Sequence, residues 1–240
     1  MKEHRFGAPS IIRRKRGNKM ANCCITDYVF YSQNEKELER FHYFLSSLMD
    51  EALNDGFRIT SNGRTTTYHE ANYYFMQERL NIPENKMSSG CGSMINISQI
   101  SNRDGFYYFN LSAKDAWNPY PEIFDNVLKM RYTDIFYSYR AEETAGDVVL
   151  IHDDVGFFNE KYLLDGDLGE LEGFEDGVYK SFTDEESLIS YLCRVLKMLS
   201  LKTGREITLT GKEKPLELVS MVKDMISDEF FFNLYEYNRV

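Results

Sequence analysis

One short run in this chain gathers side chains able to move protons or bind a metal: His152-Asp153-Asp154. An imidazole beside two carboxylates can share a proton or ligate a divalent ion, provided further ligands arrive from elsewhere, and Glu142 and Glu143 are the candidates. The same run has a plainer use. Asp153 and Asp154 precede Gly156, in a turn where a carboxylate bonds nearby backbone N–H groups. Other chemical signatures fail on spacing. His69-Glu70 begins like a zinc-protease helix, but Tyr73 stands where the second His is required. Gly211-Lys212-Glu213 lacks the Ser or Thr that follows a P-loop lysine and the glycine five residues upstream. Cys91, within Gly90-Cys91-Gly92-Ser93, has no neighbouring base to make it a thiolate. Cys23, Cys24, Cys91 and Cys193 follow neither zinc spacing nor a disulfide framework, so buried thiols are expected. No catalytic residue, metal or cofactor is assigned.

His152 belongs to a stretch, Phe106 to Leu164, whose elements follow one another with little linker. From Phe106 to Ala113 the side chains alternate, with Tyr107, Phe109, Leu111 and Ala113 on one face. Trp117, Asn118, Pro119 and Pro121 break that strand, and Pro121 opens a helix with Ile123, Phe124, Val127 and Leu128 in one stripe. Strands are expected over 135–140, 147–152 and 157–164, joined by short Gly-bearing connections. Trp117 and Pro119 are read as structural anchors, Trp117 buried at the seam of helix and sheet, and Gly146 as the hairpin glycine.

Upstream, residues 1–19 read as a disordered basic tail, with Met1 and Met20 both available as starts. Cys24 to Tyr31 is a strand, and Asn34 with Glu37 caps a helix carried by Leu38, Phe41, Leu45, Leu48 and Ala52. His42 lies on that stripe as a packed histidine. Residues 56–92 read as an insertion holding a helix over 68–80, and 94–100 as a strand closed by an Asp104-Gly105 hairpin. Downstream, 165–176 is an acidic linker. A smaller unit over 177–240 then has a strand at 178–182, a helix capped by Thr183 and Glu186 and stopped at Gly204, a strand at 206–210, and a helix from Pro215. The segment at 230–237 reads as a strand by composition or a helix extension by the spacing of Phe230, Leu234 and Tyr237, the strand being the expectation.

Leu111-Ser-Ala-Lys-Asp-Ala-Trp117-Asn-Pro119-Tyr-Pro121, followed by Phe136-Tyr-Ser-Tyr139-Arg-Ala-Glu142-Glu-Thr-Ala145-Gly146, resembles the YubB/Api92-like proteins of plasmids and phages. The opening Met20-Ala21-Asn22-Cys23 is similar as well. The resemblance covers residues 20–164 in patches, and departs from the family's pattern just before Cys23 and beside Ala145. It implies a ferredoxin-like domain and a mobile-element context, and carries over no catalytic residues.

The expected fold class is therefore α+β: a ferredoxin-like antiparallel sheet with helices on one face over 20–164, then the C-terminal α/β unit. At 240 residues and 42% hydrophobic, the chain has enough apolar matter for a packed core. A net charge of −10 disfavours nucleic acid and anionic membranes as partners. Asp165, Asp167, Glu170, Glu172, Glu175 and Asp176 are the candidate binding residues, an acidic surface for a basic host or element-encoded protein. Two other functions stand beside that one. Gly105-Phe106-Tyr107-Tyr108-Phe109 echoes the strand with which RNA-recognition modules stack bases, an RNA or single-stranded DNA reading; the third is a hydrolase or metal enzyme around His152.

Overall fold

The computed structural model describes residues 23–61, 63–146, 148–169, 171, 173–174 and 177–240. The expected basic tail lies outside them. Contacts divide the chain into two compact bodies, one of Ala21–Lys161 with Glu236–Val240 and one of Tyr162–Tyr235.

In the first body, β1 (Cys23–Ser32) buries Cys24, Thr26, Tyr28, Phe30 and Ser32 on one side, and toward its end Val29 and Tyr31 on the other. Asn34 then accepts from the Glu37 amide and starts α1 (Glu35–Asn54), which buries Leu38, Phe41, Leu45, Leu48 and Ala52, the stripe read from the sequence. Each large apolar side chain so buried contributes about 1.5 to 3 kcal/mol. The 56–92 segment is more broken than expected. It holds an exposed hairpin, β2 (Phe57–Ser61) with β3 (Arg64–Tyr68), then β4 (Ala71–Asn72) and the seven-residue α2 (Tyr73–Arg79) in place of one helix. Asn72 explains the late start, because its side chain caps α2 by accepting from the Phe75 amide.

Next come β5 (Gly92–Ile97), β6 (Ser101–Arg103) and β7 (Phe106–Ala116). Arg103 pairs with Phe106, and Asp104 and Gly105 take φ of +52° and +86°, the left-handed pair that a two-residue hairpin needs. α3 (Pro121–Arg131), β8 (Phe136–Glu143) and β9 (Val148–His152) follow. A ring of Phe41 from α1 and one of Phe124 from α3 both meet Phe30, at 5.2 and 5.0 Å, so the two helices cover the same face of the sheet. β13 (Asn238–Arg239) closes the sheet by pairing parallel with β9. The eight-stranded order is β13-β9-β8-β1-β7-β5-β4, with β6 beside β7, and the β8-β1-β7-β5 pairings are all antiparallel.

The strand expected over 157–164 forms later and elsewhere. Residues 153–161 have no strand, and β10 (Tyr162–Gly166) lies in the second body between β11 (Val178–Phe182) and β12 (Phe232–Glu236). α4 (Glu185–Thr203) is capped by Asp184 instead of Thr183, with the Asp184 carboxylate accepting from the Ser187 amide. Gly204 ends it at φ +68°. The strand expected at 206–210 is absent, because Glu213 folds back to accept from the Gly211 amide and the Thr210 hydroxyl. α5 (Pro215–Met225) follows its proline, and Leu218 and Val222 join Leu192, Val195 and Phe232 in a separate core. Among the described residues, the molecule is α+β with five α-helices.

Candidate functional site

The end of the first body's sheet is built around Ser32, the last residue of β1. Its hydroxyl donates to the Asp134 carbonyl at 2.7 Å and accepts from the Asn34 amide at 2.9 Å, while the Asn34 side-chain amide reaches the Asp134 carboxylate at 3.3 Å. These bonds fix the chain between β1 and α1 against the chain entering β8. A cleft of about 880 Å³ opens there, lined by Glu35, Lys36, Phe106, Tyr107, Asp134 and Phe136 besides Ser32 and Asn34. Phe136 is 58% exposed. The lining rings rest on buried Tyr31, which meets Phe106 edge-on at 5.7 Å and stacks on Phe136 at 6.0 Å. Phe157 extends the ring cluster by packing on Tyr31 and Tyr108, and the Arg103 guanidinium lies over Phe157. Two carboxylates, Glu35 and Asp134, and one ammonium, Lys36, are among the cleft's lining side chains. Glu35 pushes the Tyr107 phenol up, as a nearby negative charge must.

On the helix side of the sheet sits a buried polar centre. Asp115 is only 1% exposed, and it accepts from the Thr26 hydroxyl and the Tyr73 phenol, both at 2.7 Å. Burial raises its carboxyl from 3.8 to about 6, against the pull of those two donors. Gly92 is required beside it, since a Cβ there would overlap the Asp115 carboxylate and crowd the Tyr73 ring. Nearby Cys24 is fully buried and its thiol is pushed up to about 12, which makes it inert as a nucleophile. Cys91, in contrast, is exposed in a turn with Gly on both sides, and Cys23 and Cys193 are half-buried, so the expectation of buried thiols holds for Cys24 alone.

The opposite face of the sheet carries a charged centre. Arg140 reaches Asp27 at 2.8 Å, Glu160 at 2.8 Å and Glu142 at 3.3 Å. Ser112 donates to Asp27 and Tyr237 donates to Glu142. Burial pushes the Tyr237 phenol well up, with Glu142 adding to it.

His152 is not gathered with acids. Its Nδ1 lies 2.8 Å from the Val240 carbonyl and its ring stacks on Tyr139. Strand alternation sends Glu142 to the other face, toward Arg140, while Glu143 accepts from the Ala145 amide. Asp153 does what its turn position implies, accepting from the Ser138 hydroxyl and the Val155, Gly156 and Phe158 amides. Among the described residues no group of three or more His, Cys, Asp or Glu side chains is placed to hold a metal ion. His42 is packed as expected, against Phe109 and 2.8 Å from the Ser98 carbonyl.

Of the acidic run, Glu170, Glu172, Glu175 and Asp176 lie outside the described residues. Asp165 is half-buried on β10 opposite Tyr179, and exposed Asp167 accepts from the Gly169 amide. Trp117 is not a buried anchor. It is 55% exposed, because φ of +75° turns the chain out of the alternation that buries Phe109, Leu111, Ala113 and Asp115. Pro119 is half-buried ahead of α3, and Gly146 ends a short 3₁₀ turn, Thr144–Gly146, before β9. Phe109 is fully buried, which removes it from any base-stacking surface; Phe106 and Phe136 remain accessible.

The cleft was missed because its parts lie 32 to 136 residues into the chain and meet only through strand pairing. The Asp115 centre had a legible signal: Asp115 continues the inward series of β7 by two residues. No helix of the described residues is long and apolar enough to cross a membrane. No family model matches the chain, and neither a curated protein nor a solved structure does.

Proposed function

We propose that this chain is a non-enzymatic binding protein of a phage or plasmid, one that takes a basic segment of a host or element-encoded protein and so modulates the machinery to which that partner belongs. The observation that carries the reading is the cleft: exposed Phe136 and half-buried Phe106, both packed on Tyr31, with Glu35 and Asp134 in the same lining. Aromatic anchors inside a polar rim are the anatomy of a protein interface, and the excess of carboxylates selects a cationic partner. In this reading the run from Asp165 to Asp176 adds long-range attraction. The mobile-element context rests on the resemblance to YubB/Api92-like proteins. A ferredoxin-like reading of the first body draws support from the antiparallel order β8-β1-β7-β5 with α1 and α3 on one face.

Quantitative capture from a host lysate tests this with three baits: the unaltered chain, Phe136→Ser with Asp134→Lys, and an amide variant carrying Asp165→Asn, Asp167→Asn, Glu170→Gln and Glu172→Gln. Basic proteins should be retained by the first and released by raised salt, and the cleft variant should lose them. The amide variant should retain them more weakly. Recovery of the same proteins by the cleft variant defeats the cleft as the site. The exposed Phe136 ring and half-buried Phe106 favour one second reading, stacking on single-stranded RNA, and tight binding of the unaltered chain to such RNA at physiological salt would replace the first with it.

A further inference from the structure

The second body has an open surface of opposite sign. In its sheet, ordered β11-β10-β12, β11 is an edge, and among the described residues no strand pairs with its outer side. A groove of about 500 Å³ runs between that edge and α4, lined by Phe174, Tyr179, Lys180, Tyr191, Arg194 and Met198. The Lys180 ammonium stands 4.8 Å from the Tyr191 ring centre, and the Arg194 guanidinium 5.0 Å from the same centre. Tyr191 is held in turn by Phe174 and Phe182, edge-on at 6.0 and 5.3 Å. Two cations therefore share one ring, and neither forms an ion pair among the described residues. Their mutual repulsion is relieved by an anion that reaches both. In a chain with 38 acidic against 28 basic residues, a groove whose charged lining side chains, among the described residues, are two cations is set apart in charge.

We propose that this groove docks an extended acidic segment of another protein, which adds a strand to the free edge of β11 and lays carboxylates against Lys180 and Arg194. An edge strand offers backbone donors and acceptors to an extended partner, and alternate side chains of that partner fall on the groove side. Tyr179, 45% exposed on β11, adds an aromatic side chain to the lining that the added strand would meet. A nucleic acid fits less well. Its affinity rises with the number of phosphates neutralised, the groove supplies two cations, and the net charge of −10 repels a long polyanion. The proposal does not depend on the cleft of the first body.

Fluorescence anisotropy of the full chain with a labelled seven-residue peptide of alternating Glu and Val tests this at physiological salt. Saturable binding is expected, at least about tenfold weaker for Lys180→Glu with Arg194→Glu, whereas an alternating Lys-Val peptide, which the cleft of the first body can also take, should bind that reversed variant more tightly than the unaltered chain. Circular dichroism checks that the variant is folded. Two further peptides, N-methylated at every second residue in one register or the other, are tested on the unaltered chain, where one of the two must lose binding if the backbone pairs with β11. The proposal fails if the Glu-Val peptide does not saturate, if the reversed variant binds it equally, or if both N-methylated peptides bind like the unmodified one. Tighter binding of a ten-residue oligothymidylate, lost in the same variant, would also overturn it in favour of nucleic acid.

Discussion

Thr26 and Asp27 are adjacent on β1, yet they belong to two electrostatic neighbourhoods on opposite faces of one sheet. On the helix side, a single carboxylate, Asp115, is held in a dry setting by two neutral hydroxyl donors, and burial biases it toward its protonated form. On the other side, Asp27, Glu142 and Glu160 surround one guanidinium that keeps part of its surface in water. Neutral donors satisfy a buried carboxylate without opposing its protonation strongly; across the sheet the carboxylates meet a cation instead. One strand thus separates a group that responds to pH from a group that responds to salt.

The sharpest way to break the contrast is Arg140→Met. Three carboxylates would be left facing one another, and we expect a loss of about 3 kcal/mol of stability in denaturant melts at low salt, shrinking as salt is added. A loss indifferent to salt would mean that Arg140 acts by packing on Phe158 alone.

The Asp115 face should answer to pH instead. Its folded-state pKa, about 6, lies above the ordinary 3.8, so the folded state binds the proton more tightly than the unfolded one. The resulting stabilisation is complete below about 4 and is lost as pH rises through about 6, a fall of roughly 2 to 3 kcal/mol. In Asp115→Asn that part of the pH dependence should vanish, because no ionisable group remains. Urea titrations at pH 4, 5, 6 and 7 of both proteins measure the difference, and parallel curves would refute it.

The smallest effect is expected at Trp117. Since the ring is more than half exposed and lies outside both neighbourhoods, Trp117→Ala should move stability by no more than about 0.5 kcal/mol in a thermal melt. A loss of several kcal/mol would restore the buried anchor that the sequence suggests.

Local pattern accounts for what could be read in advance. The α1 stripe, the Pro121 and Pro215 helix starts, the Asp104-Gly105 turn and the alternation of β7 each follow from neighbours within a few residues, and each is where it was expected. Elements without a buried face were invisible: all five residues of β3 are exposed, so no apolar period marks the strand. Long-range pairing was equally hidden. Nothing near Tyr162 announces that β10 pairs with β11 and β12, and Thr26 and Asp115 stand 89 residues apart before the sheet joins them. The acids were read by number, as a run, whereas the cleft's two carboxylates, Glu35 and Asp134, act by position beside aromatic rings.

The pairing of β13 with β9 gives the chain an order of assembly. Residues 236–240 supply the Tyr237 contact to Glu142, the Val240 carbonyl beside His152 and the outermost strand of the first sheet, yet they follow the whole of the second body in the chain. During synthesis from the N-terminus, residues 162–235 emerge and can collapse on their own core while the outer border of β9 still waits for its neighbour. The first body begins to fold first and is completed last.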